Sequence, residues 1–262
     1  MALLEVKNLT KSFGGLVAIS DLSFRIGQEE ILGLIGPNGA GKTTLFNLVT
    51  GVLPPSSGAI FFGEHRITGK PPYEITKLGI ARTFQSLRHF SNATIFDNLV
   101  VGRHCRTRAG LWHAILRTSL ARNEEKKNKE KASEVMDLLG LESYQTDLAK
   151  NIPQAMQRHL DIGIALATEP SLLLLDEPAA GMNPEETSRL VELIKRIQSK
   201  GIAILIIEHD MNVIMDVCER IFVLNYGEKI SEGSPEEIQE NPEVIETYLG
   251  KEDFDLVSIE SN

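Results

Sequence analysis

One octapeptide, Gly36-Pro37-Asn38-Gly39-Ala40-Gly41-Lys42-Thr43, constrains the fold more than any other part of the chain. Its G-x-x-x-x-G-K-[ST] spacing suits a loop whose glycines let backbone N–H groups wrap a phosphate, with a helix N-terminus adding positive potential behind them. Lys42 is then placed to reach the outer phosphate oxygens and the Thr43 hydroxyl to ligate Mg²⁺, and Thr44 is counted among the nucleotide-binding residues. The motif also demands a strand before it and a helix after it. Glu30 to Ile35 supplies the apolar strand and Thr43 to Thr50 the helix. Together these imply ATP and Mg²⁺ as cofactors.

A second acidic element fits the same chemistry. The run Leu172-Leu173-Leu174-Leu175 ends in Asp176-Glu177. A buried strand seldom ends in two acids, but a sheet edge facing Mg-nucleotide needs one carboxylate for the metal and its water shell. Asp176 is that candidate. Glu177, one residue beyond, is placed to polarise the attacking water as a general base.

Around these motifs the chain alternates strand and helix, which favours a mainly parallel central sheet of α/β class. Near the start, Leu4 and Val6, then Leu22, Phe24 and Ile26, alternate with polar neighbours at period two, and a strand pair surrounds Gly63, so an antiparallel β subdomain is expected. Asn183-Pro184-Glu185-Glu186 reads as a capped helix start, carried on by Leu190, Leu193, Ile194 and Ile197 and ended by Lys200-Gly201. Further on, Ile202 to Ile207 is a strand, 210–219 a helix, and Asn225-Tyr226-Gly227 a turn between two strands. The middle differs in character: Arg103 to Lys131 holds nine Lys/Arg against three Glu. It reads as a solvated helix face, with contact to a membrane surface or partner as the sharper alternative. The expected organisation is an ATP-binding core at 1–96 and 169–250, a helical subdomain inserted at 97–168, and a C-terminal tail at 251–262.

A formal net charge of −9 argues against nucleic acid as a partner. Cys105 and Cys218 lack metal or disulfide spacing, no apolar run approaches the roughly 18 residues of a membrane span, and no secretory leader is evident. The expected location is the cytoplasm, with membrane contact made through a partner.

With both motifs in place, nearly the whole chain resembles the ATPase subunits of ABC transporters. The resemblance implies that Phe13, in Lys11-Ser12-Phe13-Gly14, stacks on adenine, although core packing would also explain it. It implies that Gln85, in Arg82-Thr83-Phe84-Gln85, contacts Mg²⁺ and the water, and that His209, in Glu208-His209-Asp210, contacts the γ-phosphate. The other histidines, His65, His89, His104, His113 and His159, show no ligand spacing. Within the family the likeness is to the ATP-binding subunits of branched-chain amino-acid importers, carried by Ala81-Arg82-Thr83-Phe84-Gln85, Asp176-Glu177-Pro178-Ala179-Ala180-Gly181-Met182-Asn183-Pro184 and Glu208-His209-Asp210-Met211. Glu232-Gly233-Ser234-Pro235-Glu236-Glu237-Ile238, Asn241-Pro242 and Tyr248-Leu249-Gly250 extend it. It implies a second, non-identical ABC ATPase subunit, integral membrane permeases and a periplasmic or extracellular substrate-binding protein as partners, with the chain peripheral on the inner face of the cell membrane. Lipid or lipopolysaccharide export, a soluble ABC ATPase of translation or repair, and a regulatory nucleotide-binding module are the alternatives.

One departure matters. Where the family carries Leu-Ser-Gly-Gly-Gln, about two dozen residues before Asp176, this chain has Ile152-Pro153-Gln154-Ala155-Met156. Pro153 offers neither hydroxyl nor N–H, Ala155 puts a methyl where glycine lets backbone approach phosphate, and Met156 lacks an amide. Ile164 stands where arginine is common. The helix N-terminus still offers backbone donors and a favourable dipole. The expectation is a dimer whose two nucleotide sites are unequal.

Overall fold

The computed structural model describes residues 2–83, 89–106 and 119–249. The period of two near the start of the chain becomes the first of two sheets. Strands β1 (Leu4–Phe13), β2 (Leu16–Ile26), β4 (Ser57–Phe62) and β5 (His65–Arg66) form an antiparallel sheet in the order β2-β1-β4-β5. Its first hairpin turns tightly, pairing Phe13 with Leu16 at the tip.

The second sheet runs β10-β9-β3-β8-β7-β6, built from β3 (Ile31–Ile35), β6 (Ile80–Arg82), β7 (Leu172–Asp176), β8 (Ala203–Ile207), β9 (Arg220–Asn225) and β10 (Glu228–Gly233). Every pairing is parallel except the β9–β10 hairpin at one edge. Both faces are covered, which is why β3, β7 and β8 read as unbroken apolar runs rather than alternating ones. The alternation reappears in the packing. Leu32, Leu34, Leu172, Leu174, Leu205 and Ile207 point into a core shared with the antiparallel sheet and helix α1 (Lys42–Val49), where Phe24 stacks on Phe222 with ring centroids 4.9 Å apart. Ile31, Ile35, Leu173, Leu175, Ile204 and Ile206 point the other way. Burying both faces in this manner stabilises the sheet by roughly 1.5–3 kcal/mol for each fully buried aliphatic side chain.

That second face packs on helices. Between β6 and β7 lie α3 (Ile95–Gly102), α4 (Ser119–Leu139) and α5 (Gln154–Leu166), while α2 (Pro72–Leu78) precedes β6. Helix α6 (Pro184–Gln198) begins as the sequence foretold: Asn183 Oδ1 accepts from the Glu186 amide at 3.0 Å and the Glu186 carboxylate accepts from the Asn183 amide at 3.0 Å. Helices α7 (Met211–Val217), α8 (Pro235–Gln239) and α9 (Pro242–Leu249) complete the chain. The basic stretch around Trp112, the residues Phe84, Gln85 and Leu87, and the tail at 251–262 lie outside the described residues. Among the described residues no helix is long and apolar enough to cross a membrane.

Candidate functional site

The phosphate loop links β3 to α1 through backbone that side chains tolerate poorly. Gly36 has φ +151° and Gly41 φ +107°. A Cβ on Gly36 would stand 2.0 Å from the Leu224 carbonyl oxygen, and one on Gly41 would stand 2.6 Å from that of Ala18. Close approach of neighbouring backbone therefore requires glycine at both places. Gly41 is also the residue before the helix and offers no side-chain cap, so the first N–H groups of α1 stay open toward a bound anion.

Lys42 opens that helix. Its ammonium donates to the Gly36 carbonyl at 2.6 Å and the Pro37 carbonyl at 3.0 Å. Burial lowers its pKa, and the charges of Glu177 and Asp176 pull it back up. Lys42 and Glu177 line one cleft, so the lysine of one motif meets an acid of the other. Sheet order explains this: β3 and β7 both run parallel to β8 and flank it, so their C-terminal loops emerge on one edge.

Asp176 is 5% exposed and terminates β7. Its Oδ2 accepts from Arg82 Nη2 at 2.7 Å, and its amide donates to Thr83 Oγ1 at 3.2 Å. Glu177 has left the strand with φ +50°, held there by its amide donating to the Ile207 carbonyl at 2.9 Å. It lines a cleft of about 490 Å³ together with Asn38, Gly39, Ala40, Gly41, Lys42, Thr43 and Thr44. Phe13 lines the same cleft and is 45% exposed, so it is not a core residue; Lys11 Nζ sits 4.9 Å from its ring centroid. Leu16, Val17, Ala18 and Tyr226 complete the wall. Sequence reasoning missed these four, although Leu16 and Val17 lie just across the hairpin turn from Phe13.

The other expected residues take different places. Pro37 borders a neighbouring cleft of about 530 Å³, where the loop faces Glu243, Glu246 and Thr247 of α9. His209, at the end of β8, is largely exposed and lies outside the described lining of the nucleotide cleft. Its neighbour Glu208 is buried, accepting from the Ala179 amide at 2.7 Å and the His209 amide at 3.2 Å, and burial raises its pKa. That carboxylate ties the segment after Glu177 to the His209 backbone. Gln85 lies outside the described residues.

The residues 152–156 fold as the sequence implied. Pro153 and Gln154 are exposed at the start of α5, with no side-chain cap, and Gln157 Nε2 closes the bend on the Ile152 carbonyl at 2.9 Å. Gln154 lies beside the Ala179–Asn183 turn, its Nε2 3.9 Å from where a Cβ on Gly181 would stand.

The donor set suits a nucleotide with Mg²⁺. It offers hard oxygen ligands from Thr43 and Asp176, and among the described residues no group of His, Cys, Asp and Glu forms a separate metal cage. A phosphate cradle, a strand-end acid pair and an exposed aromatic at one cleft define a P-loop nucleotide-binding cassette. Residues 19–180 match the ABC transporter family, and the chain belongs to it. Residues 228–253 match a second family model, that of the branched-chain amino acid ATP-binding cassette transporter.

Among its relatives, the chain is 41% identical over 250 residues to the high-affinity branched-chain amino acid transport ATP-binding protein LivG of Salmonella typhimurium, covering 95% of this chain and 98% of that one. It is 38% identical, with the same coverage, to BraF of Pseudomonas aeruginosa, which carries the same description. The ADP conformation of MJ1267, an ATP-binding cassette of an ABC transporter, superposes with a TM-score of 0.84 at 30% identity, covering 96% of this chain and 100% of that one.

Proposed function

We propose that this chain is the ATP-binding and ATP-hydrolysing subunit of an importer of branched-chain amino acids. The observation that carries the reading is the shared sheet edge at which Lys42 and Glu177 line one cleft while Asp176 ends the strand before Glu177. Kinship with LivG and BraF over 95% of the chain supports the cargo class.

In this reading Phe13, with Leu16, Val17 and Tyr226 beside it, receives the adenine. The loop amides and Lys42 hold the phosphates, and Thr43, Gln85 and Asp176 hold the metal. Mg²⁺ held there would supply positive charge to the phosphate tail. Glu177, with the strand end behind it fixed, takes a proton from water aimed at the γ-phosphorus, and His209 and Gln85 orient that water and the γ-phosphate. The outward position of His209 calls for it to approach when two subunits close face to face. Residues 97–168 act as a helical lobe that moves with the permease, and the exposed Phe90 contributes to the surface that receives it. The partners are a second, non-identical ATPase subunit, two permeases and a capture protein outside the membrane, which places this chain on the cytoplasmic face.

The test is co-expression with candidate permease, partner-ATPase and capture-protein subunits from the same organism, reconstitution into vesicles, and measurement of ATPase activity. Capture protein loaded with leucine, isoleucine or valine is expected to stimulate hydrolysis. Stimulation by a lipid substrate instead, or no response to these amino acids, would reject the cargo assignment.

A further inference from the structure

Arg82 reaches both halves of the site. It ends β6, which pairs in parallel with β7, and its side chain is 5% exposed. Nη2 donates to Asp176 Oδ2 at 2.7 Å, across 94 residues of chain. Nη1 donates to Asn47 Oδ1 at 2.6 Å, and the guanidinium lies 5.2 Å from the Phe46 ring centroid. Asn47 and Phe46 belong to α1, the helix that Lys42 and Thr43 begin. One planar cation therefore spans the strand-end acid and the helix that carries the phosphate loop.

Physical chemistry gives that span a consequence. A carboxylate buried to this extent is costly unless paired, and the rigid fork of arginine fixes both the distance and the rotation of what it binds. With Oδ2 engaged, Asp176 keeps its other oxygen for the metal and its water shell. The ring of Phe46 beneath the guanidinium and Asn47 at its other end keep the fork from turning.

We propose that Arg82 is a positioning residue that sets the affinity of the site for Mg²⁺, by holding the Asp176 carboxylate at a fixed distance from the phosphate-loop helix. The inference rests on the reading of Asp176 as the metal carboxylate. A lysine in its place keeps the charge but lacks the rigid two-nitrogen fork that fixes Asp176 and Asn47 relative to one another.

The test is binding of a fluorescent ATP analogue to the purified chain, titrated with Mg²⁺ and repeated in EDTA. Mn²⁺ is then substituted, and its bound fraction is counted by electron paramagnetic resonance. Arg82→Lys is expected to raise the Mg²⁺ midpoint about tenfold, as loss of a hydrogen-bonding partner behind a metal ligand commonly does. Nucleotide affinity in EDTA stays within about twofold, since the loop amides that supply it are untouched. Asn47→Ala, which frees only one end of the fork, is expected to raise the midpoint about threefold, the weight of one hydrogen bond. A wild-type midpoint in folded Arg82→Lys, or in Asn47→Ala should the lysine variant not fold, overturns the inference. So does an equal loss of nucleotide affinity with and without Mg²⁺, which marks a purely architectural role. Asp176→Asn separates the two levels. If that change leaves the midpoint unmoved, the reading of Asp176 fails; if it shifts the midpoint while Arg82→Lys does not, only the role of Arg82 fails.

Discussion

Glu177 combines a strained backbone with a catalytic assignment, and substitution can separate the two. Its φ of +50° lies in the left-handed region, where a side chain costs about 1–2 kcal/mol. Two contacts impose it: the Glu177 amide donates to the Ile207 carbonyl at 2.9 Å, and its carbonyl accepts from the Ala180 amide at 3.2 Å. Glu177→Gln keeps the strain and the shape but removes the base. Glu177→Gly removes the base and relieves the strain, while adding about 0.5–1 kcal/mol of chain freedom to the unfolded state. The difference leaves the glycine variant more stable than the glutamine variant by about 0.5–1 kcal/mol, or about 1–4 °C in Tm for a chain of this size. Comparing these two variants cancels the loss of the Glu177 charge facing Lys42, which both share. Differential scanning calorimetry without nucleotide reads the stability, and ATPase activity of the assembled transporter reads the chemistry. Both variants are expected to hydrolyse ATP about 10²–10⁴-fold more slowly while still binding it. A glycine variant that melts below the glutamine variant would refute the strain argument. Hydrolysis within a few-fold of wild type in Glu177→Gln would refute the assignment as base.

Other perturbations probe the remaining features. Gly41→Ala is expected to abolish nucleotide binding in an equilibrium titration, because its Cβ would stand 2.6 Å from the Ala18 carbonyl oxygen at φ +107°. Burial pushes the Cys218 thiol up to about 12 from an ordinary 9.0, so it stays protonated and inert in the folded protein at pH 8, and an alkylating reagent followed by mass spectrometry should modify it only after unfolding. Because the folded pKa is the higher one, its contribution to stability is complete below pH 9 and is lost as pH rises toward 12. The impoverished residues Ile152 to Met156 predict unequal nucleotide sites: Glu177→Gln in this chain should lower transporter ATPase far more than the equivalent change in the partner, and equal losses would count against it.

Local signals in the chain were enough for much of this. The octapeptide at 36–43 specifies its own loop, because glycines at those spacings and a following helix satisfy one compact piece of backbone. The capped start at Asn183 and the apolar runs of β3, β7 and β8 are equally local, since they depend on residues within a turn or a strand of one another. The exposed ring of Phe13 excludes the core packing that would also have explained it.

What the tertiary structure alone decided are the relations between distant segments. An alternating pattern of strands and helices is compatible with many strand orders, and each order satisfies the same hydrophobic demand. Parallel pairing in the order β3-β8-β7 puts the loops after β3 and β7 at one edge with a single strand between them, so that Lys42 and Glu177 line one cleft. The contacts of Arg82 with Asp176 and Asn47, 94 and 35 residues away, belong to the same class. In the linear chain Arg82 is one more surface-seeking cation and Glu208 one more acid. Their burial follows from the sheet and helices that close over them, which no window of neighbouring residues encodes.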